Sequence, residues 1–191
     1  MQSLLEKKRD ILDKILSRYS SELCEIKVSF SFCKEAEKED LYKVFLEVIK
    51  EGSSYPQLLP YKYEDFLDYF FPKNSIVLIC KEGSNIAGGF YLKPNFPGRC
   101  SHIANAGYIV KKEYRGKKIG LYLGKLSIDI AKELGYRALM YNLVFSENSK
   151  AVNLWKSLGL KVIGTIPNAM RKDAGSFQDA YIMYLNLTDD T

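Results

Sequence analysis

Between Gly107 and Gly120 the chain reads Gly-Tyr-Ile-Val-Lys-Lys-Glu-Tyr-Arg-Gly-Lys-Lys-Ile-Gly, and its middle carries residue types that grip an anion. Lys111, Lys112, Arg115, Lys117 and Lys118 stand there against the single acid Glu113. An apolar run of Tyr108, Ile109 and Val110 precedes the turn and an amphipathic pattern follows it, so the cations lie where a strand gives way to a helix. The first turn of a helix leaves backbone N–H groups unpaired and carries a partial positive charge, which suits a phosphate. Several cations beside it suit a ligand with more than one phosphate. For any one of Lys111, Lys112, Lys117 or Lys118, a solvated surface role is the alternative.

Two better-known phosphate loops do not fit. A Walker loop needs Gly, four residues, then Gly-Lys-Ser/Thr, whereas Gly116 and Gly120 are too close and Leu121 stands where lysine should. The three-glycine spacing of a dinucleotide fingerprint is absent as well. His102 is the one histidine of the chain and a candidate base near neutral pH, or else a hydrogen-bonded structural residue. With that single imidazole, and with Cys24, Cys33, Cys80 and Cys100 in no metal-type spacing, no metal site is expected.

The elements that must position these groups follow from periodicity. The length of 191 residues, 47% of them hydrophobic and 27% charged, suits one domain with a substantial core. Leu5, Leu12, Leu16 and Tyr19 form the apolar stripe of a helix over residues 2–22, an extension used for local packing or for a homodimer contact. The main domain, residues 23–191, opens with an alternating strand over 26–33 and a helix that buries Leu41, Val44, Phe45, Val48 and Ile49 and stops at Gly52. The aromatic stretch over 53–72 holds a short helix over 63–70 and either walls a pocket or caps a core. Strands over 75–81 and 86–92 form a hairpin.

A strand over 102–110 then feeds the basic turn, with Gly107 marking a bulge or a close backbone approach. The next helix starts at Arg115 or Gly116 and runs to Leu134; a strand over 138–145, a helix over 148–158 and strands over 161–166 and 179–187 complete the chain. The fold class is α/β, a mixed and mostly antiparallel sheet with helices on both faces. The net charge of +5 is mild and concentrated at the turn, which argues against a nucleic-acid partner. The charged start and the lack of a long apolar run point to a cytoplasmic protein with no membrane partner and reduced thiols.

Arg115-x-x-x-x-Gly120 resembles the pyrophosphate loop of the GNAT superfamily of N-acetyltransferases, Gln/Arg-x-x-Gly-x-Gly/Ala, and departs from it at Lys118, where glycine is usual. If that position requires φ > 0, lysine there costs about 1 to 2 kcal/mol; if it is helical, almost nothing. Asn148-Ser-Lys-Ala151-Val-Asn-Leu154-Trp155-Lys-Ser-Leu-Gly159-Leu160 resembles the following family motif, Asn-x-x-Ala-x-x-Leu-Tyr-x-x-x-Gly-Phe, at the expected separation. Gly98, His102, the run from Asn105 to Tyr108, Asn142-Leu-Val, Asn148, Leu154-Trp155 and the tail from Gly164 to Tyr184 are similar to a branch of small-molecule acetyltransferases. That branch includes fungal enzymes acting on proline analogues such as azetidine-2-carboxylate.

The resemblance implies a V-shaped opening between the strands ending at Val110 and running over 138–145, into which the pantetheine arm of acetyl-CoA, the cosubstrate, inserts. Ile109 and Val110 would offer backbone partners, the loop Arg115, Gly116, Lys117, Lys118, Ile119 and Gly120 would hold the pyrophosphate, and Asn148 and Trp155 would flank it. His102, Asn105, Asn142 and Asn148 would serve the acceptor amine or its base, although Asn148 also suits a helix N-cap. Acetyl transfer needs a neutral amine, and for a lysine-like group of pKa about 10.4 deprotonation at pH 7 costs about 4 to 5 kcal/mol. The leaving thiol, of pKa near 8.5, needs little acid help. Trp155 stands where many GNAT enzymes carry a tyrosine acid, so direct thiolate departure or another donor is expected. The expected function is acetyl transfer to a small or amino-acid-like amine; a catalytically silent acyl-CoA-binding module and a protein-lysine acetyltransferase are the alternatives.

Overall fold

The structure is a computed structural model that describes residues 8–22, 27–172 and 175–188. Leu5 and Cys24, and the expected strand start at residue 26, lie outside them. Among the described residues five helices, α1 (Arg9–Glu22), α2 (Lys38–Lys50), α3 (Tyr63–Phe70), α4 (Ile119–Glu133) and α5 (Ser149–Ser157), surround one seven-stranded sheet. Its strands are β1 (Val28–Phe32), β2 (Ile76–Glu82), β3 (Asn85–Pro94), β4 (Ile103–Val110), β5 (Ala138–Phe145), β6 (Lys161–Arg171) and β7 (Phe177–Asn186). They lie in the order β1-β2-β3-β4-β5-β7-β6, antiparallel throughout except for β4 against β5.

Helices cover both faces, which is why β2 reads as the continuous apolar run Ile-Val-Leu-Ile-Cys rather than an alternating one. On one face Leu12, Leu16 and Tyr19 of α1 and Leu123, Leu126 and Ile130 of α4 pack over Leu78, Phe90 and Leu139. On the other, Phe45 of α2 and Phe66 and Phe70 of α3 pack over Val77, Ile79 and Ile109. The apolar stripe of α1 is therefore used within the chain. Ion pairs from Lys8 to Glu133 at 2.8 Å and from Arg18 to Asp129 at 2.5 Å tie α1 to α4.

The start of α4 and the end of β6 differ from those read in the sequence by more than two residues. Helix α4 begins at Ile119, not at Arg115 or Gly116, because Gly116 (φ 80°) and Lys118 (φ 62°) are both left-handed and helical geometry cannot start before them. β6 runs past Ile166 to Arg171, and its pairing with β7 slips between Ile166 and Met170, where Pro167 withholds an N–H. Strand β7 also inserts between β5 and β6, so the parallel pairing of the second half is confined to β4 and β5.

That confinement creates the cleft. β4 and β5 pair only at Ile103 with Ala138 and Ala104 with Leu139. Beyond those rungs β5 carries an irregularity between Tyr141 and Val144, stays with β7 and diverges from β4.

Candidate active site

A cleft of about 400 Å³ fills the space between the diverging strands. Asn105 sits at its vertex, 8% exposed, with Nδ2 donating to the Met140 carbonyl at 2.9 Å and Oδ1 facing the Tyr91 hydroxyl at 3.4 Å. Its side chain thus carries the β4–β5 connection one step past the last backbone rung. Gly107 is a close approach rather than a bulge: a Cβ there would lie 2.5 Å from the Tyr91 ring.

Backbone direction along β4 decides which groups face the cleft. Lys111 N–H bonds to the Ala87 carbonyl at 2.9 Å and the Ile103 carbonyl accepts from Asn95 N–H at 2.8 Å, so odd-numbered residues of β4 turn their backbone groups to β3. Ile109 falls on that side, opposite Gly89 with its side chain in the core, and the even-numbered Ala106, Tyr108 and Val110 face the opening. The backbone groups that face the opening are therefore those of Tyr108 rather than Ile109. At present the Tyr108 carbonyl accepts the Tyr55 hydroxyl at 3.1 Å, and that of Val110 accepts Arg115 Nε at 3.0 Å.

The basic loop follows directly. Arg115 also bonds Glu51 at 2.6 Å, so its side chain pins the loop to the ends of α2 and β4. No side chain caps α4, and Tyr122 N–H is the first in the helix to find its carbonyl, Lys118 O, at 3.1 Å. The N–H groups of Ile119, Gly120 and Leu121 precede that bond, an arrangement suited to an anion. Lys118 occupies the conformation for which glycine is usual, so the costlier alternative applies. Lys118→Gly should relieve about 1 to 2 kcal/mol of strain and lose up to about 1 through a more flexible unfolded chain. Thermal unfolding should show an unchanged or slightly raised Tm, and a marked fall would contradict the left-handed assignment.

Asn148 caps α5 through Ala151 N–H at 3.2 Å and reaches Ser53 and Ser54, both at 3.3 Å, closing the cleft from the α5 side. Asn142 forms a reciprocal amide pair with Asn95, at 3.0 and 2.6 Å. His102 is not brought to the cleft. It is exposed, with Nδ1 at 3.2 Å from the Arg99 carbonyl in the turn before β4, at the end where β4 and β5 are still paired.

Trp155 is 8% exposed and packs on Tyr108 and Tyr141 with ring centroids 4.6 and 5.0 Å apart. The indole has room because position 124 is glycine; a Cβ there would lie 3.1 Å from it. Behind it the Tyr141 and Tyr108 hydroxyls are 2.6 Å apart, Tyr108 is 2.6 Å from Ser127 Oγ, and Ser127 donates to the Gly124 carbonyl at 2.7 Å. A carbonyl only accepts, so the hydrogens run inward from Tyr141 to Tyr108 to Ser127. Burial pushes the Tyr108 phenol up to about 12 and raises that of Tyr141 well above its ordinary value, so both stay protonated.

Sequence reasoning missed Lys93, Asn95, Tyr91 and Tyr141 as cleft residues. The signal for the first three was their alternation, since Tyr91, Lys93 and Asn95 share a parity and strand residues two apart share a face. The aromatic stretch does both jobs expected of it: Tyr55 and Tyr69 wall the cleft while Phe66 and Phe70 fill the core.

Residues 39–160 match the model of the Acetyltransferase (GNAT) family. The N-acetyltransferase aca1 of Schizosaccharomyces pombe is 32% identical over 151 residues, covering 70% of this chain and 72% of that protein. A GCN5-related N-acetyltransferase from Kribbella flavida superposes with a TM-score of 0.79 at 26% identity, over 85% of this chain and 99% of that one. The yncA structure from Salmonella typhimurium, solved with its cofactor acetyl-CoA, has the same fold with a TM-score of 0.77 at 18% identity, over 86% and 96%. Fold and sequence thus define an N-acetyltransferase. The chain belongs to the GNAT family.

Proposed function

We propose that the protein transfers the acetyl group of acetyl-CoA to the amine of a small, amino-acid-like acceptor by direct attack on the thioester, and that it stands near the branch acting on proline analogues. The observation that carries this reading is the split between β4 and β5, with an uncapped, basic helix start at its mouth. The N–H groups of Ile119, Gly120 and Leu121 would hold the pyrophosphate, with Lys117 and Lys118 beside it. Tyr108 and Val110 would offer backbone partners to the pantetheine arm, with Tyr55 releasing the Tyr108 carbonyl.

Among the described residues no Asp, Glu or His lines the cleft, a lining that favours an amine reaching the thioester already neutral or losing its proton to water. The inward run of hydroxyl hydrogens leaves none of them free for the leaving sulfur, and the indole of Trp155 is too weak an acid to supply one. Departure as the thiolate needs no such donor, its pKa lying near about 8.5.

Calorimetric titration with CoA, followed by thiol release over a panel of amines, tests the assignment. Saturable binding and amine-dependent release are expected. Binding without release across the panel would favour a silent acyl-CoA-binding module, and no binding would end the assignment. His102→Ala should keep turnover within about twofold, as expected for a surface substitution away from the site; a larger loss would restore the histidine as base.

A further inference from the structure

The cleft already holds an amine of the chain's own. Lys93 pairs with Asn105 across β3 and β4, and residues directly opposite in an antiparallel pair share one face with Cβ atoms about 5 Å apart, so the lysine side chain rises beside the vertex. Among the described residues it is the one charged group that lines the cleft. Its ammonium makes no ion pair or hydrogen bond among them and rests 5.1 and 5.7 Å from the ring centroids of Tyr91 and Tyr69. Partial burial lowers its pKa, so at a given pH more of it is neutral than of a lysine in water.

The direction of the cosubstrate brings two reactants to one place. The N–H groups of Ile119, Gly120 and Leu121 lie beyond Val110, at the open end of β4, whereas Asn105, bonded to the Met140 carbonyl, marks the closed end. An arm that enters at the phosphates and runs past Val110 and Tyr108 carries its acetyl group to the vertex, where Lys93 sits. The exposed lysines Lys112 and Lys117 stand at the opposite end, beside the phosphates.

We propose that Lys93 is an acetylation site of the enzyme itself: with no acceptor in the cleft, its Nζ takes the acetyl group of acetyl-CoA bound to the same chain. This rests on the transferase reading above. The ammonium first gives a proton to water, and the neutral nitrogen then attacks the thioester carbonyl carbon. The C–N bond forms, the C–S bond breaks with its electron pair leaving on sulfur as the thiolate, and the nitrogen passes a second proton to water. A neutral amide replaces the ammonium on the cleft floor.

The test needs no acceptor. The full chain is incubated with acetyl-CoA alone while free thiol, intact mass and peptide mapping are followed. Thiol release should stop near one equivalent per chain, with the gain of a single acetyl group located on Lys93. Acetylation there should be faster than at Lys112 or Lys117 by at least about 100-fold, the advantage of a reactant held in place. Its rate constant should not change with protein concentration, since donor and acceptor belong to one chain. Unfolding the chain in urea should bring Lys93 down to the level of the other lysines. Lys93→Arg should lose the release while keeping its Tm and its CoA affinity, read by thermal unfolding and calorimetry. Acetyl groups spread evenly over exposed lysines, release that persists in Lys93→Arg, or continued release without a gain in mass overturns the proposal. Binding of CoA without any of this release also overturns it and leaves CoA recognition intact, whereas failure to bind CoA removes the transferase reading as well.

Discussion

Replacing Gly120 with glutamate is expected to leave the protein as stable as the parent, or about 1 kcal/mol more stable, and to weaken CoA binding by at least about 100-fold. The two effects have separate physical origins. A Cβ at residue 120 would sit 3.5 Å from Leu154 and 4.0 Å from Val110, ordinary contact distances, so the fold has room for the side chain. Glycine in the first turn of α4 costs conformational entropy that another residue recovers, and a carboxylate there favours the positive end of the helix. The same carboxylate competes for the N–H groups proposed to hold the pyrophosphate. Two like charges about 5 Å apart repel by roughly 3 kcal/mol at an effective dielectric of 20, and a tenfold loss of affinity corresponds to about 1.4. Thermal unfolding and calorimetry on one preparation read both quantities. Parental CoA affinity in Gly120→Glu would place the phosphates elsewhere.

How much of this was legible depended on whether a feature is local. Helix α3 and strand β5 lie at the bounds expected from their apolar spacing, and the basic turn was visible because its cations fall close together between Lys111 and Lys118. The start of α4 was misread because the sequence offers no sign that Lys118 takes a left-handed conformation, which lysine adopts only at a cost. The cleft itself is a relation between strands. β4 and β5 each read as ordinary strands, and neither sequence says that their pairing ends after two rungs. The exchange of Ile109 for Tyr108 depends on register, since one step along a strand reverses both side chain and backbone direction. Lys93 and Asn95 lie just beyond the expected hairpin strand and gain meaning only where β4 and β5 bring Asn105 and Asn142 alongside. His102 stands out in the sequence by its chemistry alone, and the fold places it at the paired end of the strands, away from the cleft lining.

A single methyl group at Gly107 should be among the most damaging small changes available to the chain. Its Cβ would stand 2.5, 2.6 and 2.7 Å from three atoms at the far end of Tyr91, closer than any van der Waals contact. That ring has little freedom to retreat, because Phe70 meets it edge-on at 5.0 Å and Tyr69 at 5.6 Å, and its hydroxyl lies over Asn105. Overpacking of this kind costs about 1 to 3 kcal/mol, which for a chain of this size lowers Tm by roughly 2 to 12 °C. The displaced ring would disturb the Asn105 bond at the vertex and the bed of Lys93, so acetyl transfer should fall more steeply than stability, while CoA binding at the distant loop is retained. A double-mutant cycle isolates the cause. Tyr91→Leu alone leaves a cavity and is destabilising, but in Gly107→Ala/Tyr91→Leu the methyl no longer meets the ring, so the pair should be more stable than the sum of the singles by at least about 1 kcal/mol. Additive losses would mean that Tyr91 does not lie against residue 107, and the floor of the cleft would then need a different arrangement.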